Sequence, residues 1–465
     1  MIRHLETDYL VVGAGAMGMA FTDALIDHAD VHVTLVDCRH APGGHWLDAY
    51  PFVQLHQASV FYGVASTVLG NGAEQTAGPE AGLQERARQS EILTYYDDIL
   101  HRRFVASDRV TFLGGSEYRQ DGSAHLVTSL VSGGVTEVKV RRRVVDATYL
   151  SPMIPANTTP PFNVAPDVNV VPINKLASLD DVPAKFVIVG SGKTATDGIV
   201  WLLHNGVPPD QIVWVRPRDP WMLNRAVVQP DPVVALNLAA DTMQAAAEAV
   251  SLDDVFMRLE DAGVMLRIDP QVTPTMAKAP TLATWELDLL RTIENVVRLG
   301  HIERVDTHEI CLSDGSVPLE PGSLIVHCAA SGLRYPPRIP IWGPDRIRLQ
   351  TIRAGFPCLN AALIGFVEAT RDDDREKNRL CPPNTLPDTL ASWVRMQARG
   401  SIAARGYGIE PDISAWMNAC ALNPARIDPA QRNDPSVQIA AARLADQTES
   451  GLARIEELTQ QLAPS

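Results

Sequence analysis

Two short stretches carry residues whose types and spacing suit the phosphates of a dinucleotide. Gly13-Ala-Gly15-Ala16-Met17-Gly18 follows the apolar run Tyr9 to Val12, and Gly190-Ser-Gly192-Lys193-Thr194-Ala195 follows Phe186 to Val189. In each, the first glycine permits a tight turn and the second lets a pyrophosphate approach the backbone. The third position, Gly18 or Ala195, lets helix and strand pack closely. The N-terminus of the helix that follows offers free N–H groups and partial positive charge to a phosphate. Gly192-Lys193-Thr194 also invites a Walker reading, but that loop needs a glycine where Val187 stands, so the dinucleotide reading is kept.

The elements required to position these turns can be read around them. Met19 to Ile26 has helical spacing, and Val31 to Val36 is a second strand ending in Asp37, nineteen residues after Gly18. An acid there accepts hydrogen bonds from a ribose, and the adjoining Cys38 and Arg39 fall on the same side. After the second turn a helix runs through Trp201 and Leu203 to about Gly206, and Gln211 to Val215 is the next strand. It ends in Arg216-Pro-Arg218 instead of an acid. An acid would repel a 2′-phosphate and a guanidinium would pair with it, so the second turn is expected to take NADPH in preference to NADH.

The order of further residues resembles the class B flavoprotein monooxygenases, the Baeyer–Villiger and flavin-containing monooxygenase group. Pro42-Gly43-Gly44-His45-Trp46, Tyr50-Pro51, Ser59 and Tyr62 match its G-G-x-W…Y-P…S…Y run. Arg218-Asp-Pro220-Trp221 is similar to its segment after the second nucleotide strand. Leu324 to Leu333 (LIVHCAASGL, with Gly332) and Ala354-Gly355-Phe356-Pro357-Cys-Leu359 are similar to its Ala-Thr-Gly strand and G-F-P-x-L return. The resemblance covers residues 8 to 370 and implies FAD at the first turn and NADPH at the second. It further implies a flavin C4a-(hydro)peroxide that oxygenates a small organic substrate with dioxygen. Trp46, Tyr50, His56, Gln57 and Tyr62 are the candidates for the flavin face, and His56 and Gln57 are the polar pair suited to catalysis.

The chain departs from that group in two places. Residues 151 to 180, where the group's linker signature should lie, contain no histidine. The arginine and aspartate that follow Tyr-Pro in Baeyer–Villiger members are here Gln54 and His56. Hydroxylation, heteroatom oxidation or a different flavin reaction therefore suits these residues better than ketone-to-ester chemistry. An FAD-dependent NAD(P)H oxidoreductase without oxygen insertion is the alternative.

Composition sets the surroundings. The 465 residues are 46% hydrophobic and 20% charged, as in folded globular chains, with length for two or three domains. A net charge of -15 and no long basic run exclude a general affinity for nucleic acid or anionic membrane. No signal peptide or spanning segment is expected, and Cys38, Cys311, Cys328, Cys358, Cys381 and Cys420 lack metal or dithiol spacing. A cytoplasmic location follows as an expectation, with oligomeric state open, a homo-oligomer included.

The expected fold class is α/β, with two Rossmann-like dinucleotide-binding domains, a helical insertion and a helical C-terminal tail. The FAD domain is placed at 1–155 and 325–385, and the NADPH domain at 173–324. Its helical insertion is expected at about 230–300, and a helical region at 386–465. The proline-rich span 152–172 is expected as a linker, Ser251-x-x-Asp254 as a helix start and Asp314-Gly315 as a hairpin turn. Leu282, Trp285, Leu289, Ile293, Val296 and Val297 recur at helical spacing, and Arg371 to Lys377 reads as a solvated charged face; no metal site is assigned.

Overall fold

A computed structural model describes residues 2–330, 332, 334–353 and 355–460. Ser331 and Leu333 of the 324–333 stretch, Ala354 of the 354–359 stretch, and 461–465 of the tail lie outside the described residues.

The first unit begins β1 (Arg3–Val12), α1 (Ala16–His28) and β2 (Val33–Val36). Its parallel strands run in the order Val110–Leu113, β2, β1, Val135–Asp146, with Arg346–Arg348 paired beyond. This is the strand order of a doubly wound dinucleotide unit, and its last strand arrives after the whole second unit has been inserted. The long strand Val135–Asp146 also pairs, through its first half, with the antiparallel hairpin Ser116–Asp121 and Ala124–Ser129.

The second unit repeats the plan with β3 (Phe186–Val189), α2 (Lys193–His204) and β4 (Ile212–Val215). Its five parallel strands run Val170–Pro172, Leu324–His327, β3, β4, Val296–Val297. Two-sided burial explains why β3 and β4 read as continuous apolar runs.

Several expectations shift here. Leu324–His327 is the strand beside β3, so it belongs to the second unit, not to the returning half of the first. Part of the expected linker is also structural: Val170–Pro172 joins the second sheet, and Asn163–Val164 pairs with Ile302–Val305. The 230–300 insertion is mixed. Helices Pro232–Glu248 and Leu252–Asp261 are present, the latter capped by Ser251 Oγ accepting from the Asp254 N–H at 3.1 Å. They are followed by strands Met265–Arg267 and Met276–Leu282, which flank Pro220–Asn224 in a small sheet. Of the apolar stripe from Leu282 to Val297, only Thr284–Leu290 is helical; Leu282 ends a strand and Val296–Val297 is the outer strand of the second sheet. Tertiary pairing overrides the helical period there.

The hairpin at 309–318 forms with Leu312 paired to Gly315, which puts Ser313-Asp314 at its tip. The C-terminal region is helical, with Leu390–Gly408, Pro411–Ala419 and Pro435–Gln460. It shares one core with the insertion, built around Trp221, Phe256, Trp393, Met243 and Ile455. In the 371–377 run, Lys377 is not solvated: it is buried and paired with Glu368 at 2.5 Å. Glu368 also accepts from Tyr9 Oη at 2.6 Å and Trp342 Nε1 at 2.8 Å. Among the described residues no helix is long and apolar enough to cross a membrane.

Helix Pro357–Thr370 lies against α1 at close range. A Cβ on Gly365 would stand 2.6 Å from the carbonyl oxygen of Phe21 and 3.2 Å from Ala24 Cβ. Backbone cannot yield as a side chain does, so Gly365→Ala should cost about 1–3 kcal/mol by forcing the helices apart. A urea denaturation midpoint unchanged from the native chain would show that the packing is looser than this.

Candidate active site

The two glycine turns are built alike. Gly13 adopts φ 106° and Gly190 φ 133°, conformations that L side chains rarely reach. Each donates its N–H to the end of the neighbouring strand, Gly13 to Val36 O at 2.7 Å and Gly190 to Val215 O at 3.0 Å. A Cβ on Gly18 would stand 1.9 Å from Gly13 O, which is the helix–strand contact the fingerprint requires. Ala195 fills the equivalent place in the second turn and is fully buried.

Helices α1 and α2 start at Gly15 and Gly192, and neither start has a side-chain cap. Asp231, Ser251, Asp373 and Thr389 cap other helices of the chain, while Pro357–Thr370 and Pro411–Ala419 also start without a side-chain cap. A Cβ on Gly192 would meet open space, so packing does not demand glycine there. Room above the turn and unsatisfied N–H groups are the features of an anion cradle.

Both starts face one cavity of about 390 Å³. Met17 of α1 and Lys193, Thr194 and Asp197 of α2 line it, with His45, Trp46, Tyr50, His56, Gln57, Tyr62, Gly332 and Pro357. Gly44 lies against the first turn: a Cβ on it would come 2.9 Å from Gly15 Cα. Phe356 instead packs edge-on against Phe61, with centroids 5.4 Å apart. Asp37 closes the first turn, its Oδ2 accepting from the Ala14 N–H at 2.7 Å and its Oδ1 from the Arg39 N–H at 2.8 Å. Arg39 is drawn off to Asp48 at 2.6 Å, and Cys38 is an exposed thiol raised by partial burial and by Asp37.

Arg216 and Arg218 have different surroundings. Arg216 is buried, lies over the Trp214 ring with its Cζ 4.4 Å from the centroid, and pairs with Asp219 at 2.9 Å. Its Nε and Nη1 have no partner, and burial lowers its pKa to about 10. Arg218 is half-exposed, 3.6 Å from Asp388.

On the cavity wall, Trp46 Nε1 donates to Tyr62 Oη at 2.6 Å, and Tyr50 Oη donates to Asp197 Oδ2 at 2.7 Å. His56 is held by its backbone: its carbonyl accepts from Arg225 Nε at 3.1 Å and from the Thr281 hydroxyl. Its Nδ1 faces the Thr281 N–H at 3.4 Å, which assigns the ring proton to Nε2. Burial, then the neighbouring Lys193, Arg225 and Arg86, lowers the His56 pKa to about 3. Burial, then Arg39, lowers that of His45 to about 4. Both imidazoles are therefore neutral donors or acceptors at neutral pH.

Sequence reading missed what holds this wall. Asp197, Lys193, Glu286, Arg225, Glu80 and Arg86 form a chain of alternating charge. Lys193 bonds Asp197 and also Glu286 at 3.0 Å, and Arg225 bonds Glu286 at 2.6 Å and also Glu80. Arg86 pairs with Glu80 at 2.8 Å, and Trp285 Nε1 donates to Glu80 at 3.1 Å. These residues are scattered from position 80 to 286, with no motif to group them. The one local signal was Lys193 and Asp197, four apart on a helix. Elsewhere, Asp306, Glu309 and Cys311 lie close together, but Arg304 pairs with the two acids and donates to the Cys311 sulfur at 3.4 Å.

No protein-family model matches the chain. Uncharacterized proteins of Mycobacterium tuberculosis and Mycobacterium bovis are 41% identical to it over 424 residues, 90% of this chain and 78% of theirs. Among solved structures, an open form of cyclohexanone monooxygenase matches at a TM-score of 0.47 and 15% identity, over 96% of this chain and 99% of that one. Cyclohexanone monooxygenase from Rhodococcus bound to NADP+ gives 0.47 and 14%, over 96% and 98%. Bacillithiol disulfide reductase of Staphylococcus aureus gives 0.46 and 11%, over 79% and 98%.

The charge chain and the neutral imidazoles set the acid response. Removing Arg225 as Arg225→Met leaves Glu80 with only Arg86 and Glu286 with only Lys193 as cationic partners in the interior, an expected loss of about 3–5 kcal/mol in urea unfolding. Glu286 is held at about 2 against an ordinary 4.5; although its burial opposes ionisation, Lys193 and Arg225 favour the carboxylate more strongly. Its contribution is present above 4.5 and fades as pH falls toward 2. His45 takes its proton first in the unfolded chain, so stability should begin to fall earlier, from 6.5 toward 4. Unfolding midpoints measured from pH 7 to 3 should show both stages. A flat profile down to pH 5 would place the imidazoles in open water.

Proposed function

We propose that this chain, which belongs to one family with the mycobacterial proteins it matches, is an FAD-dependent monooxygenase drawing electrons from NADPH. The observation that carries this reading is the pair of uncapped helix starts, each behind a glycine turn, that face one apolar-walled cavity. Two dinucleotides laid on those turns would bring their redox ends together there.

The residues fit both groups. Gly13, Gly15, Gly18 and Asp37 would hold FAD, with Asp37 retaining lone pairs for a ribose. Gly190, Gly192, Lys193 and Thr194 would hold the pyrophosphate of NADPH, and the orphaned Nε and Nη1 of Arg216 offer buried donors beside it. Bound flavin supplies acceptance of hydride and activation of dioxygen. Two electrons from NADPH reduce one oxygen atom to water while the other enters the substrate.

This chain's own part is placement and dryness. Trp46 and Tyr62, bonded to each other, form a rigid apolar wall, and Leu150, Ile154 and Leu386 extend it, which suits a neutral, largely apolar substrate. His56 turns Nε2–H toward the cavity without a positive charge, and Gln57 adds an amide. A neutral donor stabilises developing negative charge on oxygen without trapping it as a permanent ion pair.

The absence of a histidine in 151–180 favours a second reading, transfer of NADPH electrons with no oxygen insertion. One experiment separates the two. Protein reduced by NADPH without oxygen is mixed rapidly with oxygenated buffer, and oxygen consumption is followed beside the oxidised-flavin absorbance. A lag between the two supports monooxygenation. Simultaneous recovery with stoichiometric hydrogen peroxide, unchanged across a panel of apolar ketones, amines and sulfides, overturns it for the oxidoreductase. Asp37→Ala should weaken FAD by about tenfold or more, read as flavin per chain after gel filtration; undiminished flavin would remove the first turn's assignment.

A further inference from the structure

Each of four cations around the second turn meets a carboxylate of the chain itself. Lys193 meets Asp197 and Glu286, Arg216 meets Asp219, and Arg218 and Lys278 share Asp388. Asp388 differs from the other three carboxylates in origin and in fit. It comes from the C-terminal region, directly before Thr389, the cap of helix Leu390–Gly408. Its oxygens stand 3.5 Å from Lys278 Nζ and 3.6 Å from Arg218 Nη1, beyond hydrogen-bond contact, and its side chain is 37% exposed.

Its backbone, by contrast, is fixed on both sides. The Asp388 N–H donates to Ser392 Oγ at 2.9 Å, and its carbonyl accepts from the Ala277 N–H at 3.3 Å. The side chain can turn while the segment stays in place. Lys278 lines the same cavity as Lys193 and Thr194, and Arg218 lies three residues past the end of β4, where the adenosine ribose of a bound dinucleotide sits.

We propose that Asp388 is an internal anion occupying the 2′-phosphate subsite, that Lys278 is the second cation of that subsite with Arg218, and that Asp388 turns aside when NADPH binds. The inference rests on the NADPH reading above. A phosphate carries about −1.5 to −2 charges and three acceptor oxygens against the single charge of a carboxylate, so it displaces Asp388. A ribose 2′-hydroxyl carries no charge and leaves the pairing in place. The carboxylate thus sets the affinity for the phosphorylated cofactor and offsets one of the two positive charges of the subsite while it is empty of phosphate.

The test uses the FAD-loaded protein and calorimetric titration with 2′,5′-ADP and 5′-AMP, which differ by the phosphate in question. Asp388→Asn should tighten 2′,5′-ADP by about three- to tenfold, as expected for relief of two loose surface pairs, and leave 5′-AMP unchanged. Lys278→Met should weaken 2′,5′-ADP by a similar factor, again without effect on 5′-AMP. Bound flavin checks that each variant is folded. If the native protein prefers 2′,5′-ADP but neither variant alters that preference, the inference fails and the NADPH reading stands. Weaker 2′,5′-ADP binding in Asp388→Asn also overturns it, since Asp388 would then be holding the cations for the ligand. No preference in the native protein removes the NADPH reading and the inference together.

Discussion

One buried guanidinium fixes the arrangement on which the cavity depends. Arg225, 1% exposed at its side chain, reaches Glu80 of the first unit, Glu286 of the insertion and the carbonyl of His56. Through Glu286 it is joined to Lys193 on the second phosphate turn, and through Lys193 to Asp197 and Tyr50 back in the first unit. Arg225, Glu80 and Glu286 are almost free of solvent, so sliding the units apart without admitting water would leave buried charges unpaired at several kcal/mol each. The relative placement of the two turns is therefore held by polar bonds of defined direction, where apolar packing alone would let the units slide. Hydrogen-bonded ions trade stability for register, which is the best-attested use of buried charge.

That register has a consequence at the wall. His56 lies next to three cations, yet its bonds run to its backbone carbonyl and Nδ1, and Nε2 takes part in neither. Burial comes first in keeping the ring neutral, and the cations add to it, because a proton placed on the ring would sit among like charges without water. Arg225 thus contributes both to the position of His56 and to its protonation state. His45 reaches a similar state more simply, by burial beside Arg39.

What could be read from sequence was what depends on near neighbours. Gly13-x-Gly15 and Gly190-x-Gly192 need only a strand before and a helix after, so β1, α1, β3 and α2 were legible with their glycine turns. Ser251 was legible as a cap because its partner is three residues away. Long-range pairing was not. Val296–Val297 shows the same apolar residues whether it closes a helix or extends a sheet, and only β4 alongside decides. Leu324–His327 carries the pattern of a buried strand, but nothing in that pattern says which of two parallel sheets it enters. The charge chain was invisible for the same reason: each partner looks like a solvated residue until the fold removes the solvent.

The distribution of charge explains why the second site takes its present form. A chain with a net charge of -15 repels polyanions at a distance, so the proposed dinucleotides would have to be attracted at short range. Two sources act there. Helix starts offer N–H groups that carry no net charge and cost nothing to leave facing solvent, and they stand behind both turns. Cations offer more, but bare lysines and arginines clustered around one cavity would repel one another when no ligand is bound. Pairing each with a carboxylate removes that repulsion, and the closeness of each pair determines what a ligand is able to displace. Lys193 is locked between Asp197 and Glu286, whereas Asp388 is held at 3.5 Å from Lys278, the looser pairing on which the proposed displacement rests. Graded pairing of this kind lets an acidic surface hold a cationic site without destabilising the empty state.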